Sequence, residues 1–284
     1  MDIKILELTD TSAKFMLSDA SPEIANSLRR CLIAEVPKMA IDTVEFHLGE
    51  IQGSGEDENE EYESVSSLFD EIIAHRLGLV PIPSDPELYV MKKDCACGGE
   101  GCPKCTIMYS LNKKGPCDVY SGDLEPLGDP SLKVKDELIP IVRLGPRQAI
   151  LAYAFAELGT GKRHAKWQVT NGVGYKYAPR VKIDTSKCDN GATCVNVCPR
   201  KCFSKVGNKV QVVNESACML CKACIKECKT KAITVEGDKT KFIFTFETDG
   251  SLTAKQTLRE GLKILERKFD DFRELVSTLE SSAA

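Results

Sequence analysis

The 284-residue sequence predicts an α+β fold with a cysteine-rich insertion, and three observations carry that prediction. The chain opens with apolar patterns for strand and helix, and closes with an alternating strand followed by a long helix. Its middle, roughly 64–178, combines many prolines and glycines with short apolar runs, the pattern of a loop-rich, mainly-β domain. Eight of the fourteen cysteines then fall between Cys188 and Cys228.

Taken in order, Lys14-Phe15-Met16-Leu17 is a short apolar strand. Ser21 is placed to cap a helix, Pro22 suits its first position, and Glu23 complements its dipole. Ile24, Leu28, Cys31 and Leu32 share one face of that helix, Pro37 stops it, and Ala40 to Phe46 returns as a strand. Residues 49–63 pass from Gly49, Gly53, Ser54 and Gly55 into Glu56, Asp57, Glu58, Glu60, Glu61 and Glu63. Such a composition cannot bury a core and reads as a solvated loop. Near the end, Phe242, Phe244 and Phe246 alternate as a half-buried strand, and Gly250 marks a turn.

The final helix carries a strict stripe: Leu258, Leu262, Leu265, Phe269, Phe272, Val276 and Leu279 recur at alternating spacings of four and three. Two readings remain open. The helix packs on its own sheet alone, or it packs there and also on a partner helix, since a 3.5-residue period suits helix-on-helix contact at shallow angles.

The formal net charge of −4 gives no electrostatic footprint for nucleic acid. No apolar run approaches the roughly 20 residues that span a bilayer. The first residues lack the charged-then-apolar order of an export signal, and the cysteines come in tight CxC and CxxC groups. Both point to metal ligation in a reducing cytoplasm. Histidine is limited to His47, His75 and His164, which gives acid–base catalysis little support.

Cys95, Cys97, Cys102 and Cys105 offer four thiolates within eleven residues, with Gly98, Gly99 and Gly101 allowing a tight fold. That is the composition of a closed structural Zn2+ site; free or oxidised thiols are the alternative. Cys117 is a spare ligand or simply buried.

The downstream cysteines form one intact and one damaged copy of an iron–sulfur motif. Cys218-x2-Cys221-x2-Cys224-x3-Cys228 has the spacing of a bacterial-type ferredoxin half, in which three cysteines hold one cube and the fourth reaches to the other. By that rule Cys218, Cys221, Cys224 and Cys198 hold the first cluster. The second would use Cys188, Cys194 and Cys228, but Gly191 stands where its fourth cysteine belongs. Cys202 is a candidate replacement; otherwise that site holds a three-iron cluster or none. The cofactor expectation is thus one or two iron–sulfur clusters, [4Fe–4S] or [3Fe–4S], plus zinc. Segment 180–231 has eleven Lys or Arg against four Asp or Glu, which either offsets anionic clusters or meets an acidic partner. Gly159-Thr160-Gly161-Lys162-Arg163 hints at a phosphate loop, but lacks the first glycine and has Arg163 in place of Ser/Thr.

Several stretches together resemble a known family. Asn26-Ser27-Leu28-Arg29-Arg30, Val36-Pro37 and Ala40-Ile41 to Phe46 are similar to the first block of RNA polymerase α-type subunits. His75-Arg76-Leu77-Gly78-Leu79-Val80-Pro81 resembles their second block. Val119 to Leu124 and Gly161 to Trp167 resemble stretches of the archaeal and eukaryotic branch. The chain is identified as a member of the α-like, third-largest-subunit family of archaeal DNA-directed RNA polymerases, many members of which carry a ferredoxin-like insertion.

The resemblance implies a discontinuous α-subunit-type dimerisation domain, 1–45 and 233–284, interrupted by a β-rich domain with the zinc loop, 46–179, and a ferredoxin-like iron–sulfur domain, 180–232. It implies a non-catalytic scaffold that pairs with subunit L through Leu258, Leu262, Leu265, Phe269, Phe272 and Val276. Subunits N and P and the second-largest subunit would gather on that pair, with Arg29, Arg30, His75 and Arg76 as candidate contacts, and Leu77 and Leu79 in the core. Sequence-specific DNA binding and membrane attachment are not expected. The competing class is a ferredoxin-type electron-transfer protein, which predicts two intact clusters and a redox partner. Gly191 and the lack of a flavin or nicotinamide fingerprint count against it.

Overall fold

The computed structural model describes residues 1–52 and 61–282. Most of the acidic stretch expected as a solvated loop, residues 53–60, lies outside the described residues. In chain order the elements begin β1 (Asp2–Leu8), β2 (Ser12–Ser18), α1 (Pro22–Ala34) and β3 (Pro37–Phe46). The short strands β4 (Glu50–Gln52) and β5 (Glu61–Glu63) lead to α2 (Asp70–Gly78). Next come β6 (Thr106–Lys114), β7 (Cys117–Tyr120), β8 (Leu124–Pro126), β9 (Pro140–Leu144), β10 (Ala149–Thr160) and β11 (Thr170–Ile183). The cysteine-rich stretch holds α3 (Thr193–Val197), β12 (Phe203–Val206), β13 (Lys209–Val212) and α4 (Ala223–Glu227). The chain finishes with β14 (Ile233–Thr248) and α5 (Ala254–Ser282).

The chain folds into two compact units. One contains Met1–Leu8, Ala13–Arg29 and Val173–Thr245; the other contains Thr9–Ser12, Arg30–Gly172 and the chain from Phe246 on. The sequence boundary expected at 180 falls inside β11, because that strand runs on through Ile183.

The first unit is organised by a sheet in the order β1-β2-β14-β11. β1 and β2 form a hairpin in the register Asp2↔Ser18, with a bulge between Ile5 and Glu7. Alternation puts Phe15 on the inner face, stacked on Phe244 at 5.0 Å, and Tyr175 crosses Phe242 edge-on at 5.6 Å. The expected alternation of Phe242 and Phe244 is thus observed, and both are fully buried. In α1 the buried face runs through Ala25 and Leu28, with Ile24 39% exposed. A helix turns about 100° per residue, so a stripe centred on 25 and 28 leaves 24 at its edge. The Ser21 hydroxyl accepts from Ile24 N at 3.5 Å, the cap that the sequence suggested.

The second unit is built on the sheet β3-β10-β6-β8. Its central strand β10 pairs antiparallel with β3 (Ala152↔Phe46 to Thr160↔Pro37) and with β6 (Ala149↔Lys114 to Glu157↔Thr106). One apolar core joins Met39, Ile41, Tyr109, Leu111 and Ile150 to Ile73 and Leu77 of α2. Leu79, expected in this core, is instead 64% exposed. It lies one residue past the last turn of α2, off the helix face that carries Ile73 and Leu77 inward. Lys38 is buried and forms an ion pair with Asp249.

The glycines of the phosphate-loop look-alike serve packing. A Cβ on Gly159 would lie 2.4 Å from Cε2 of Trp167, and one on Gly161 would lie 2.6 Å from the Ile33 carbonyl oxygen. Trp167 is buried, donates from Nε1 to Glu157 O at 3.0 Å, and lies under both Arg163 (4.5 Å) and Lys166 (4.3 Å). Gly159→Ala must therefore displace a clamped indole. The expected loss is about 1–3 kcal/mol, as for other overpacked cores, read as a lower urea midpoint with an unchanged m-value.

Candidate metal centres and docking helix

Four thiols converge in the second unit. Cys95 follows the single turn Lys92–Asp94, and positive φ at Gly98 (68°), Gly99 (89°) and Gly101 (96°) folds the loop back on itself. Cys95 and Cys102 sulfurs lie 3.5 Å apart, Cys97 and Cys105 3.7 Å, and Cys102 and Cys105 3.9 Å. Sulfurs held at 2.3 Å from one ion in a tetrahedron are about 3.8 Å apart, so the cage has the size of one metal ion. The Gly101 amide, the Cys95 thiol and the Gly99 amide bring Cys97 down to about 6, poised as a thiolate. The Cys97 amide favours ionisation of Cys95, but thiol hydrogen bonds to Cys97, Cys102 and Cys105, with burial, leave it at about 12. A metal must therefore displace that proton on binding. Cys117 is not part of the cage; its thiol donates to Lys114 O at 3.2 Å.

The first unit carries the eight cysteines from Cys188 to Cys228 on two copies of one backbone pattern, thirty residues apart. Left-handed residues recur in step: Asn190 with Leu220, Ala192 with Lys222, Lys201 with Lys231. Ala192 and Lys222, both at φ 60°, start α3 and α4, and Cys198 and Cys228 end them. Lys201 N donates to Cys198 O, and Lys231 N to Cys228 O, each at 3.1 Å. Cys202 N donates to Cys198 Sγ at 3.4 Å, and Ala232 N to Cys228 Sγ at 3.3 Å.

This repeat sorts the thiols into two sets. Cys198, Cys202, Cys218, Cys221 and Cys224 line one cavity, together with Met219 and Val235. The four expected ligands of the first cluster are thus brought together. Cys202, the sequence candidate for the second site, also lines this cavity. It follows Cys198 across, and its counterpart on the other side is Ala232. The roles of the two thiols differ. Burial opposes ionisation of Cys198, but the amides of Cys202, Arg200 and Lys201 and the Cys202 thiol outweigh it and hold it below its ordinary value. Burial, Cys198 and Cys218 push Cys202 up to about 12. Burial and the charges of Cys218, Cys198 and Cys221 push Cys224 up to about 11. Lys176 of β11 donates from Nζ to Ser216 O and Cys218 O, both at 2.8 Å, strapping the ligand loop to the sheet.

At the second set, burial raises the Cys194 thiol, and the charges of Cys188 and Cys228 add to it. The Thr230 hydroxyl and the amides of Ala232, Thr230 and Ile233 hold Cys228 low, as Cys198 is held on the other side. The ligand position itself is Gly191.

The helix α5 divides its apolar stripe in two. Leu258 is buried and Leu262 and Leu265 half-buried, and Gly261 lets the helix approach Leu32, where a Cβ would lie 2.8 Å from Cδ2. From Phe269 onward the same stripe is bare: Phe269 is 62% exposed, Phe272 65% and Leu279 69%. Val276 is also exposed. Of the expected subunit contacts, Arg30 and His75 are exposed, Arg29 donates to Asn26 Oδ1 at 3.0–3.1 Å, and Arg76 donates to Ile141 O at 2.6 Å. The Trp167 clamp was not anticipated from sequence, whereas the two-copy backbone follows the intact and damaged copies of the motif read there. The thirty-residue recurrence was available there as a signal.

Comparison with known proteins matches residues 14–269 to the RNA polymerase Rpb3/Rpb11 dimerisation domain. The chain is 44% identical to DNA-directed RNA polymerase subunit Rpo3 of Picrophilus torridus, over 97% of this chain and 99% of that one. It is 42% identical to the Rpo3 of Thermoplasma volcanium, over 93% and 95% of the two chains. DNA-directed RNA polymerase II subunit rpb3 of Dictyostelium discoideum is 33% identical, over 96% of this chain and 93% of that protein.

Proposed function

Since the chain belongs to the Rpb3/Rpb11 family of RNA polymerase subunits, in its archaeal Rpo3 branch, we propose that it works as a non-catalytic scaffold within DNA-directed RNA polymerase, a nucleotidyltransferase. The observation that carries this reading is the bare half of α5: a helix whose apolar stripe continues in register past its own core is built to lie against another helix. The partner is the small α-like subunit L, and subunits N and P and the second-largest subunit assemble on the pair. The dimerisation domain is read as segments 1–45 and 233–284, with 46–179 and 180–232 as insertions. Among the described residues no helix is long and apolar enough to cross a membrane, and the protein is assigned to the cytoplasm.

In this reading Cys95, Cys97, Cys102 and Cys105 hold structural zinc, and residues 180–232 form the ferredoxin-like iron–sulfur domain. Cys198, Cys218, Cys221 and Cys224 hold a [4Fe–4S] cube, whose thiolates must stand further apart than those around one ion. Cys202 stays protonated beside it. Cys105→Ser is expected to remove one zinc per chain and leave iron content unchanged, measured by elemental analysis of anaerobically purified protein.

Gentle anaerobic pull-down of the tagged chain from its host tests the scaffold assignment. Recovery with a small α-like subunit and the large polymerase subunits is expected. Recovery with a reductase and no polymerase would overturn the assignment in favour of electron transfer.

A further inference from the structure

The iron–sulfur repeat leaves one position unexplained, and the structure supplies an occupant for it. Gly191 matches Cys221, the one cysteine of the first set that is exposed. Cys202, the sequence candidate for the gap, is committed to the other cavity. Its counterpart here, Ala232, has no donor atom.

The Asp189 carboxylate stands beside the gap. A Cβ on Gly191 would lie 3.3 Å from Asp189 Oδ1 and 3.5 Å from Oδ2. The carboxylate therefore borders the space where the missing cysteine side chain would begin. Asp189 is exposed, as is its counterpart in the repeat, Met219, which borders the first cavity. One carboxylate oxygen accepts from Gly191 N at 3.0 Å; the other has no hydrogen bond or ion pair among the described residues. Asn190 Oδ1 accepts from Val210 N at 3.2 Å and from the Cys188 thiol at 3.7 Å, so both of its contacts are taken; Asp184 accepts from Ser186 and pairs with Lys187.

We propose that Asp189 is the fourth ligand of the second site, completing a three-thiolate, one-carboxylate set with Cys188, Cys194 and Cys228. The inference rests on the iron–sulfur reading of this segment. A carboxylate is a harder donor than a thiolate and binds iron without first losing a proton at neutral pH. It makes one iron of the second cluster chemically distinct from the other three.

The test compares wild type, Asp189→Asn and Gly191→Cys as full chains, purified anaerobically. Iron and acid-labile sulfide are counted, and paramagnetic resonance is recorded after mild oxidation. The asparagine variant keeps an oxygen for the Gly191 amide, so a merely structural role of Asp189 would survive it. Wild type is expected to hold two four-iron clusters. Asp189→Asn is expected to lose about one iron per chain and to gain the signal of an oxidised three-iron cluster, which an oxidised four-iron cube lacks. Gly191→Cys is expected to keep the full count and to resist that loss when combined with Asp189→Asn. An Asp189→Asn protein with wild-type iron and spectrum overturns the assignment. So does a wild type with one cluster only, and in both cases the iron–sulfur reading stands. Absence of iron and sulfide from all three proteins would instead sink the iron–sulfur reading itself.

Discussion

Replacing Phe269 and Phe272 together by aspartate is expected to abolish pairing with the small α-like subunit while leaving the chain folded. Both rings stand in water in the isolated chain, so their loss removes little of its own stability. Exposed substitutions of this kind usually change stability by about 0.5 kcal/mol or less. On docking, each ring would be buried at a gain of about 1.5–3 kcal/mol. Losing two such contacts weakens binding by roughly 100-fold or more, and two carboxylates in an apolar seam add a desolvation penalty. Titration of purified partners by calorimetry measures the affinity, and thermal unfolding of the free variant checks the fold. A tight complex that survives the double change would show that the stripe is not the docking surface.

The second large effect is expected at Cys218→Ser combined with Cys221→Ser. The core of this cysteine-rich segment is small, and of the nine buried residues in its core cluster among the described residues four are cysteines: Cys194, Cys202, Cys218 and Cys224. Val181, Phe203, Val210, Ile233 and Val235 cannot replace the metal as an organising centre, since so short a segment buries too little apolar area alone. In the iron–sulfur reading proposed above, iron binding is folding free energy. The variant should lose the iron of the first site, and amide exchange should accelerate across residues 184–232. Protection in β3, β6 and β10 should be unchanged, and recruitment of the large polymerase subunits should fall at least tenfold. Unaltered exchange and assembly would refute a structural role for the cluster.

The convergence of Cys95, Cys97, Cys102 and Cys105 was legible because all four come from one short run of chain, where local geometry decides the outcome. The N-terminal cap of α1 and the alternation of Phe242 and Phe244 were legible for the same reason. Which cavity Cys202 lines was not legible, because it depends on which half follows Cys198 across, a matter of three-dimensional phase. Leu79 failed because it sits just beyond the end of α2, where helical periodicity no longer applies. Asp189 escaped notice because its significance comes from a neighbour that has no side chain. The heptad stripe of α5 read as one surface, yet the first half is covered by the protein's own core and the second half is bare. No periodicity in the sequence marks that division.

The cysteine-rich segment also has a bearing on descent. It leaves β11 at Ile183 and returns to β14 at Ile233, strands that are neighbours in the sheet. Its two ends are tied by a hydrogen bond from Asp184 N to Ala232 O at 2.8 Å. A lineage facing iron scarcity or persistent oxidants could discard the whole excursion and close the gap with a turn, keeping the strand order intact.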